Sequence, residues 1–310
     1  VNRIRPSIPK EKVWIDVDVN RLEDLIKIID THAYCEKKEY NIDLQALHKI
    51  RSELQQIQTM VGLDTFKTSI LKQLLYFLQG FANDTTHGDY KHTVISGPPG
   101  TGKTELAKMI GTMYSKVGVL KNNVFKKVTR TDLIAGYLGQ TALKTRKVID
   151  ECIGGVLFID EAYSLEADDM YAKECVNTLC EALSDSKKDL MVIVAGYHDD
   201  LEQNFFKVNN GLQSRFLWRF KIEGYTYIEL YNIFHCMVKQ QEWEIDEKIE
   251  RKWFQENKDN FVDNGRSMEQ LLSLSKIAHA KRIYGKDPAM KKRMSLDDIQ
   301  EGYKMYEENM

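Results

Sequence analysis

Proline is scarce in this chain. Its 310 residues hold five, two within the first ten positions and two side by side at Pro98 and Pro99. Long helices are therefore open to almost all of the remainder. Cysteine is sparse and badly placed for bridging: Cys35, Cys152, Cys175, Cys180 and Cys236 form no CxxC pair, and five is an odd number for a disulfide framework. We assign no metal site to them and expect free thiols in the cytoplasm or another reducing intracellular compartment. No apolar run approaches the roughly 18 residues that a membrane span needs. The opening Val1-Asn2-Arg3-Ile4-Arg5-Pro6 has no secretory apolar core behind it. An excess of one charge is also lacking: 44 basic against 46 acidic side chains leave −2. No overall basic field draws the chain to nucleic acid or to an anionic membrane, so neither is an expected partner. An initiating Met is absent, which predicts a piece of a longer protein.

What is present is the balance of an ordinary globular protein, 43% apolar and 29% charged, long enough for two domains or for one with an appendage. Residues 1–58 read as a leader plus helices, with Leu44, Leu47, Ile50, Leu54 and Ile57 forming one apolar stripe. A polar break at Asp84 to His92 precedes an α/β alternation. Thr93 to Ser96 reads as a short strand, followed after glycine by a helix rich in Leu, Ala and Met. Val124 to Val128 reads as a second, more exposed strand. Gly155 to Ile159 and Leu190 to Ala195 are continuous apolar runs, as central strands buried on both faces require. We therefore expect an α/β fold over 59–224, a parallel sheet with helices on both faces and its ligand at the carboxyl ends of the strands. Beyond Gly224 the periodicity turns helical. Residues 225–310 predict an all-helical domain of at most four helices and no strand.

Two motifs carry chemistry. Gly97-Pro98-Pro99-Gly100-Thr101-Gly102-Lys103-Thr104 matches the phosphate-loop pattern in full, between a predicted strand and a predicted helix. Glycines let successive backbone N–H groups turn inward on a phosphate, and the helix behind them adds the positive end of its dipole. Lys103 would reach the β- and γ-phosphates, and the Thr104 hydroxyl would ligate Mg²⁺. Val156-Leu157-Phe158-Ile159-Asp160-Glu161 then delivers two adjacent carboxylates to the end of a strand. Asp160 would hold Mg²⁺ through water, and Glu161 would polarise the attacking water. ATP and Mg²⁺ are the expected cofactors and ATP hydrolysis the expected reaction.

Together these motifs make the chain resemble the AAA+ ATPases from about Thr59 onward, within them the group of the red-type Rubisco activase CbbX and the sporulation protein SpoVK. Val61-Gly62-Leu63-Asp64, the phosphate loop, Gly155 to Tyr163, Val194-Ala195-Gly196-Tyr197 and Gly211 to Phe216 carry the likeness. The resemblance implies a homo-oligomeric ring, usually a hexamer, with nucleotide bound between subunits, and a helical lid at 225–310. It implies that Arg215 is an arginine finger acting on the neighbouring subunit, with Arg219 as a possible second. Arg266 matches the sensor-2 arginine of the lid. Val61-Gly62-Leu63 matches the segment beside the adenine, and Tyr197 or His198 stands where sensor 1 has Asn or Thr. Asn210 occupies a place where the group has Pro. Gly136-Tyr137-Leu138-Gly139-Gln140 matches the pore loop whose aromatic–aliphatic pair grips a polypeptide; the alternative for Tyr137 is a core aromatic. The implied function is remodelling or threading of a protein client. Rival readings are a DNA-associated machine of the clamp-loader or helicase-loader type, a nucleotide switch that does not hydrolyse, and a Rubisco-activase-like enzyme.

Overall fold

The computed structural model describes residues 10–83, 89–137, 139–166, 168–245 and 250–308. The chain opens with two three-residue strands, β1 (Glu11–Val13) and β2 (Lys38–Tyr40), paired in parallel across the helix Leu22–Thr31. Helices alone were expected here. Strands this short carry no readable period, and just beyond them the Asn41 side chain joins the two segments, accepting from the Ile15 N–H at 2.7 Å and donating to its carbonyl at 2.9 Å. The apolar stripe forms two helices, Leu44–Lys49 and Arg51–Thr59, that meet at Ile50, and all five stripe residues are buried. They belong to one continuous core with Ile95, Phe158 and Ile193 of the central sheet. The N-terminal segment is thus sealed onto the sheet by its own apolar face.

That sheet is five-stranded and wholly parallel: β3 (Thr93–Ser96), β4 (Phe125–Val128), β5 (Val156–Ile159), β6 (Met191–Gly196) and β7 (Trp218–Lys221), in the order β4-β5-β6-β3-β7. Every residue of β3, β5 and β6 is buried. Alternation sends Ile95, Val156, Phe158 and Ile193 to the first core, and Val94, Leu157, Val192 and Val194 to a second core on the opposite face. The sequence reading did not assign β7. Its four residues alternate apolar and basic, as an edge strand does, and only pairing with β3 makes them a strand.

The C-terminal part surrounds a third core with four helices, Tyr227–Gln240, Arg251–Glu256, Gly265–Ile283 and Leu296–Glu308. The expectation of no strand needs correction: β8 (Glu244–Ile245) pairs with β9 (Arg293–Met294), two residues each and beneath any sequence signal. Where the last two helices pack, buried Asp298 accepts from His279 at 2.9 Å and from Arg282 at 2.7 and 2.8 Å. Burial opposes its ionisation, yet these partners and the Ser295 N–H hold the carboxyl well below the usual range. Among the described residues no helix is long and apolar enough to cross a membrane.

One buried histidine sets an acid limit on the fold. His92, just before β3, accepts from the Val192 N–H at 3.0 Å, and its other ring nitrogen lies 3.3 Å from the Leu183 carbonyl, so the neutral ring fills both roles. Burial, aided by the nearby charges of Lys91 and Arg215, pushes its pKa down to about 3. The unfolded chain, with an ordinary histidine near 6.5, binds the extra proton first. This contribution to stability is therefore complete above about pH 6.5 and is lost as pH falls toward 3. The urea midpoint is expected to drop between pH 7 and 5 in the wild type and to change less in His92→Gln. Parallel profiles for the two proteins would show that His92 is not the titrating group.

Candidate functional site

β3 ends at Ser96, and the chain turns through the loop into the helix Lys103–Lys116. Gly100 and Gly102 sit at φ +67° and +83°, conformations costly for side-chain-bearing residues. At Gly100 space forbids a side chain as well, since a Cβ would lie 1.8 Å from the Asp263 carbonyl oxygen. Lys103 folds back over the loop, its Nζ donating to the carbonyls of Gly97 at 2.8 Å and Pro98 at 2.6 Å. The Tyr197 ring lies 5.7 Å away. Burial pulls the Lys103 pKa below its ordinary value; Asp160 opposes that shift and Arg266 adds to it. An ammonium in this setting gains from an anion laid across it.

β5 delivers Asp160 and Glu161 beside the loop. The Asp160 carboxylate is 2.6 Å from Lys127 Nζ of the neighbouring strand β4, an ion pair that balances its charge. Glu161 has φ 51° and ψ 44°, left-handed backbone for a residue other than glycine, which costs on the order of 1–3 kcal/mol. The turn is held by the Ser164 N–H donating to the Glu161 carbonyl at 2.9 Å, and the carboxylate is left exposed. Strain of this kind persists where a side chain must be aimed. Nothing in the sequence pattern signalled it.

These groups open on one cleft of about 870 Å³ between the loop, the end of β6, the end of the N-terminal segment and the C-terminal helices. Lys103, Thr104, Asp160, Glu161 and Arg266 line its polar end, and Met60, Val61, Ile233 and Met237 supply apolar wall. The latter suits a flat base and the former a polyphosphate. Of the residues expected around nucleotide, Pro99, Gly100, Thr101 and Gly102 also line it, whereas Gly62 and Pro98 do not. Gly62, at φ +66°, makes a turn against the Glu229 side chain, and Pro98 offers its carbonyl to Lys103. Of the two sensor-1 candidates Tyr197 lines the cleft and His198 does not; the His198 ring lies 3.5 Å from the Ser96 hydroxyl. Sequence reasoning missed Ile233 and Met237, on the helix Tyr227–Gln240, and Tyr225 just before it; all three are distant in sequence and carry no motif.

Arg215, Arg219 and Tyr137 do not line the cleft, whereas Arg266 does. Arg215 ends the short helix Gly211–Arg215 outside the cleft, donating to Ser184 Oγ at 2.8 Å and to the Gly211 carbonyl at 2.6 Å. Arg219 pairs with Glu202 and lies over the Phe206 ring at 4.4 Å. Arg266 stands exposed at the start of the helix Gly265–Ile283. Tyr137 is 73% exposed, so its reading as a core aromatic is wrong. Leu138 lies outside the described residues.

Among the described residues no three His, Cys, Asp or Glu side chains converge as a metal cage would require. Mg²⁺ needs no such cage, because it binds one or two protein oxygens together with phosphates and water. The Thr104 hydroxyl and the Asp160 carboxylate, both in the cleft wall, form such an oxygen set.

Fold and loop together define a P-loop ATPase of the α/β class. The model of the ATPase family associated with various cellular activities matches residues 93–222. The putative cfxQ-like protein R730 of Acanthamoeba polyphaga mimivirus is 35% identical over 296 residues, covering 93% of this chain and 72% of that protein. Stage V sporulation protein K of Bacillus subtilis is 32% identical over 237 residues, 73% of each. The fold matches the FIGL-1 AAA domain solved in complex with ADP, with a TM-score of 0.59 over 80% of this chain and 83% of that one, at 17% identity. The chain belongs to the AAA family of ATPases, in the group of CfxQ-like proteins and stage V sporulation protein K.

Proposed function

We propose that the chain is the motor subunit of a Mg-ATP-dependent ring, a hexamer by family analogy, that remodels a protein client or threads it through a central pore. In this reading residues 59–224 form the ATPase domain, 225–310 its lid and 1–58 an N-terminal segment whose described helices pack on it. Lys103 leaves the Gly97 and Pro98 carbonyls for the β- and γ-phosphates, and the loop N–H groups hold the phosphate oxygens. Thr104 and Asp160 would hold Mg²⁺, which when bound would supply neutralisation of phosphate charge. Asp160 must first part from Lys127. Glu161 orients and polarises the attacking water, with Tyr197 beside it. Arg266 reaches the nucleotide from the lid, and Val61 packs along the base. Arg215, outside its own cleft, serves the cleft of the adjacent subunit.

The observation that carries the client reading is the exposure of Tyr137 between Gly136 and Gly139. An aromatic presented to solvent on a glycine-flanked loop offers a large contact with little rotamer entropy lost on binding. Tyr137→Ala is expected to keep its melting temperature within about 2 °C, because surface truncations change stability by about 0.5 kcal/mol or less. Basal ATPase should stay within about twofold of wild type, and stimulation by an unfolded model polypeptide should fall about tenfold, the loss of one well-used contact. Unchanged polypeptide stimulation would remove Tyr137 from the client path. Stimulation by single-stranded DNA, lost in the mutant and steeply salt-dependent in the wild type, would favour a nucleic-acid machine instead.

A further inference from the structure

The phosphate loop does not hold its shape alone. Three consecutive carbonyls of the loop are each bonded by a group at or just before the start of two C-terminal helices, Tyr227–Gln240 and Gly265–Ile283. Asn264 Nδ2 donates to the Pro99 carbonyl at 3.2 Å, the Gly265 N–H to the Gly100 carbonyl at 3.0 Å, and the Tyr225 hydroxyl to the Thr101 carbonyl at 3.3 Å. Asn264 also ties two of the donor segments together, its Oδ1 accepting from the Tyr225 N–H at 2.9 Å. Burial pushes the Tyr225 pKa up to about 12, which keeps its hydroxyl a donor. Asn264 is 6% exposed and has φ 51° with ψ −119°, a region that residues other than glycine avoid.

In a trans peptide the C=O of one residue and the N–H of the next point in opposite directions. Fixing the carbonyls of Pro99, Gly100 and Thr101 toward the C-terminal helices turns the N–H groups of Gly100, Thr101 and Gly102 the other way. We infer that Asn264 is a positioning residue for the phosphate site: with Gly265 and Tyr225 it latches the loop carbonyls outward, so that the loop N–H groups are set for an anion before one arrives. The latch also makes loop shape and the placing of the C-terminal helices one variable, so a displaced lid loosens the grip on phosphate. This rests on Gly97 to Thr104 being the nucleotide site.

Asn264→Gly is the appropriate variant, since glycine accepts the backbone conformation without strain while the amide bonds vanish. Displacement of a fluorescent ADP analogue by ADP and by adenosine reads the phosphate contribution separately from the base. ADP affinity is expected to fall about tenfold, the weight of one to two hydrogen bonds, with adenosine affinity within about twofold and the melting temperature of nucleotide-free protein within about 3 °C. Tyr225→Phe, which removes only the hydroxyl, is expected to weaken ADP about threefold. Unchanged ADP affinity in Asn264→Gly, an equal loss for adenosine, or a melt lowered beyond that range would each overturn the latch, the last by making Asn264 a folding residue only. Lys103→Ala run alongside separates the premises. If it too leaves ADP affinity intact, the nucleotide assignment fails; if it abolishes ADP binding while Asn264→Gly does nothing, only the latch fails.

Discussion

Glu161→Gln is expected to lower kcat for ATP hydrolysis by about 100-fold or more while leaving ATP affinity within about threefold of wild type. Lys103→Ala is expected to lose ATP affinity itself, by about 100-fold, because an ammonium bonded to phosphate contributes in the ground state. The two side chains face the same cleft but meet different charges. Lys103 Nζ already spans two loop carbonyls at 2.8 and 2.6 Å, within reach of an anion laid on the loop. Glu161 is exposed on a left-handed turn and touches no loop atom among the bonds of the described residues, so ground-state phosphate has little to gain from it. The amide of Gln keeps its size and removes its ability to polarise water. Equilibrium binding of a fluorescent ATP analogue and a phosphate-release assay on both variants decide the matter. Equal loss of binding would mean that Glu161 holds nucleotide and that some other group activates the water.

How far the sequence carried this reading depended on how local each signal was. The phosphate loop, Asp160 and Glu161 lie within short stretches whose order alone predicts strand, turn and helix, and the structure places them on one cleft. The central strands were legible because burial on both faces leaves unbroken apolar runs. β7 was not, since Trp218-Arg219-Phe220-Lys221 is too short and too basic to declare itself without β3 beside it. β1 and β2 were invisible for a related reason: three residues paired with three have no period. The wall from Ile233, Met237 and Tyr225 and the tie from Asn264 arise where the C-terminal helices close on the loop, a meeting of positions more than a hundred residues apart. The strain at Glu161 and Asn264 is a property of backbone angles, and a residue letter does not record it.

Arg215→Ala is expected to reduce ATPase activity about 1,000-fold, within the range that a transition-state guanidinium supplies. Its place in the fold says how. The guanidinium is turned to Ser184 and the Gly211 carbonyl and does not line the cleft of its own chain, so an effect of that size in a variant that melts like wild type would point to delivery to another chain's nucleotide. Head-to-tail contacts of this kind close into rings when the rotation permits. Specific activity of the wild type should then rise with protein concentration until assembly is complete. Complementation is the sharper test. Mixed in equal amounts, Arg215→Ala and Lys103→Ala subunits place an intact cleft against an intact arginine at about a quarter of random interfaces, so turnover should return toward about a quarter of wild type from two nearly inactive parents. Failure of the mixture to recover, when each variant assembles like wild type, would confine Arg215 to its own subunit. Hydrolysis independent of concentration in a species that sediments as a monomer would dispose of the ring as well. Recovery cannot come from either parent alone, because neither carries both groups, and it would place the guanidinium of Arg215 on the nucleotide of its neighbour.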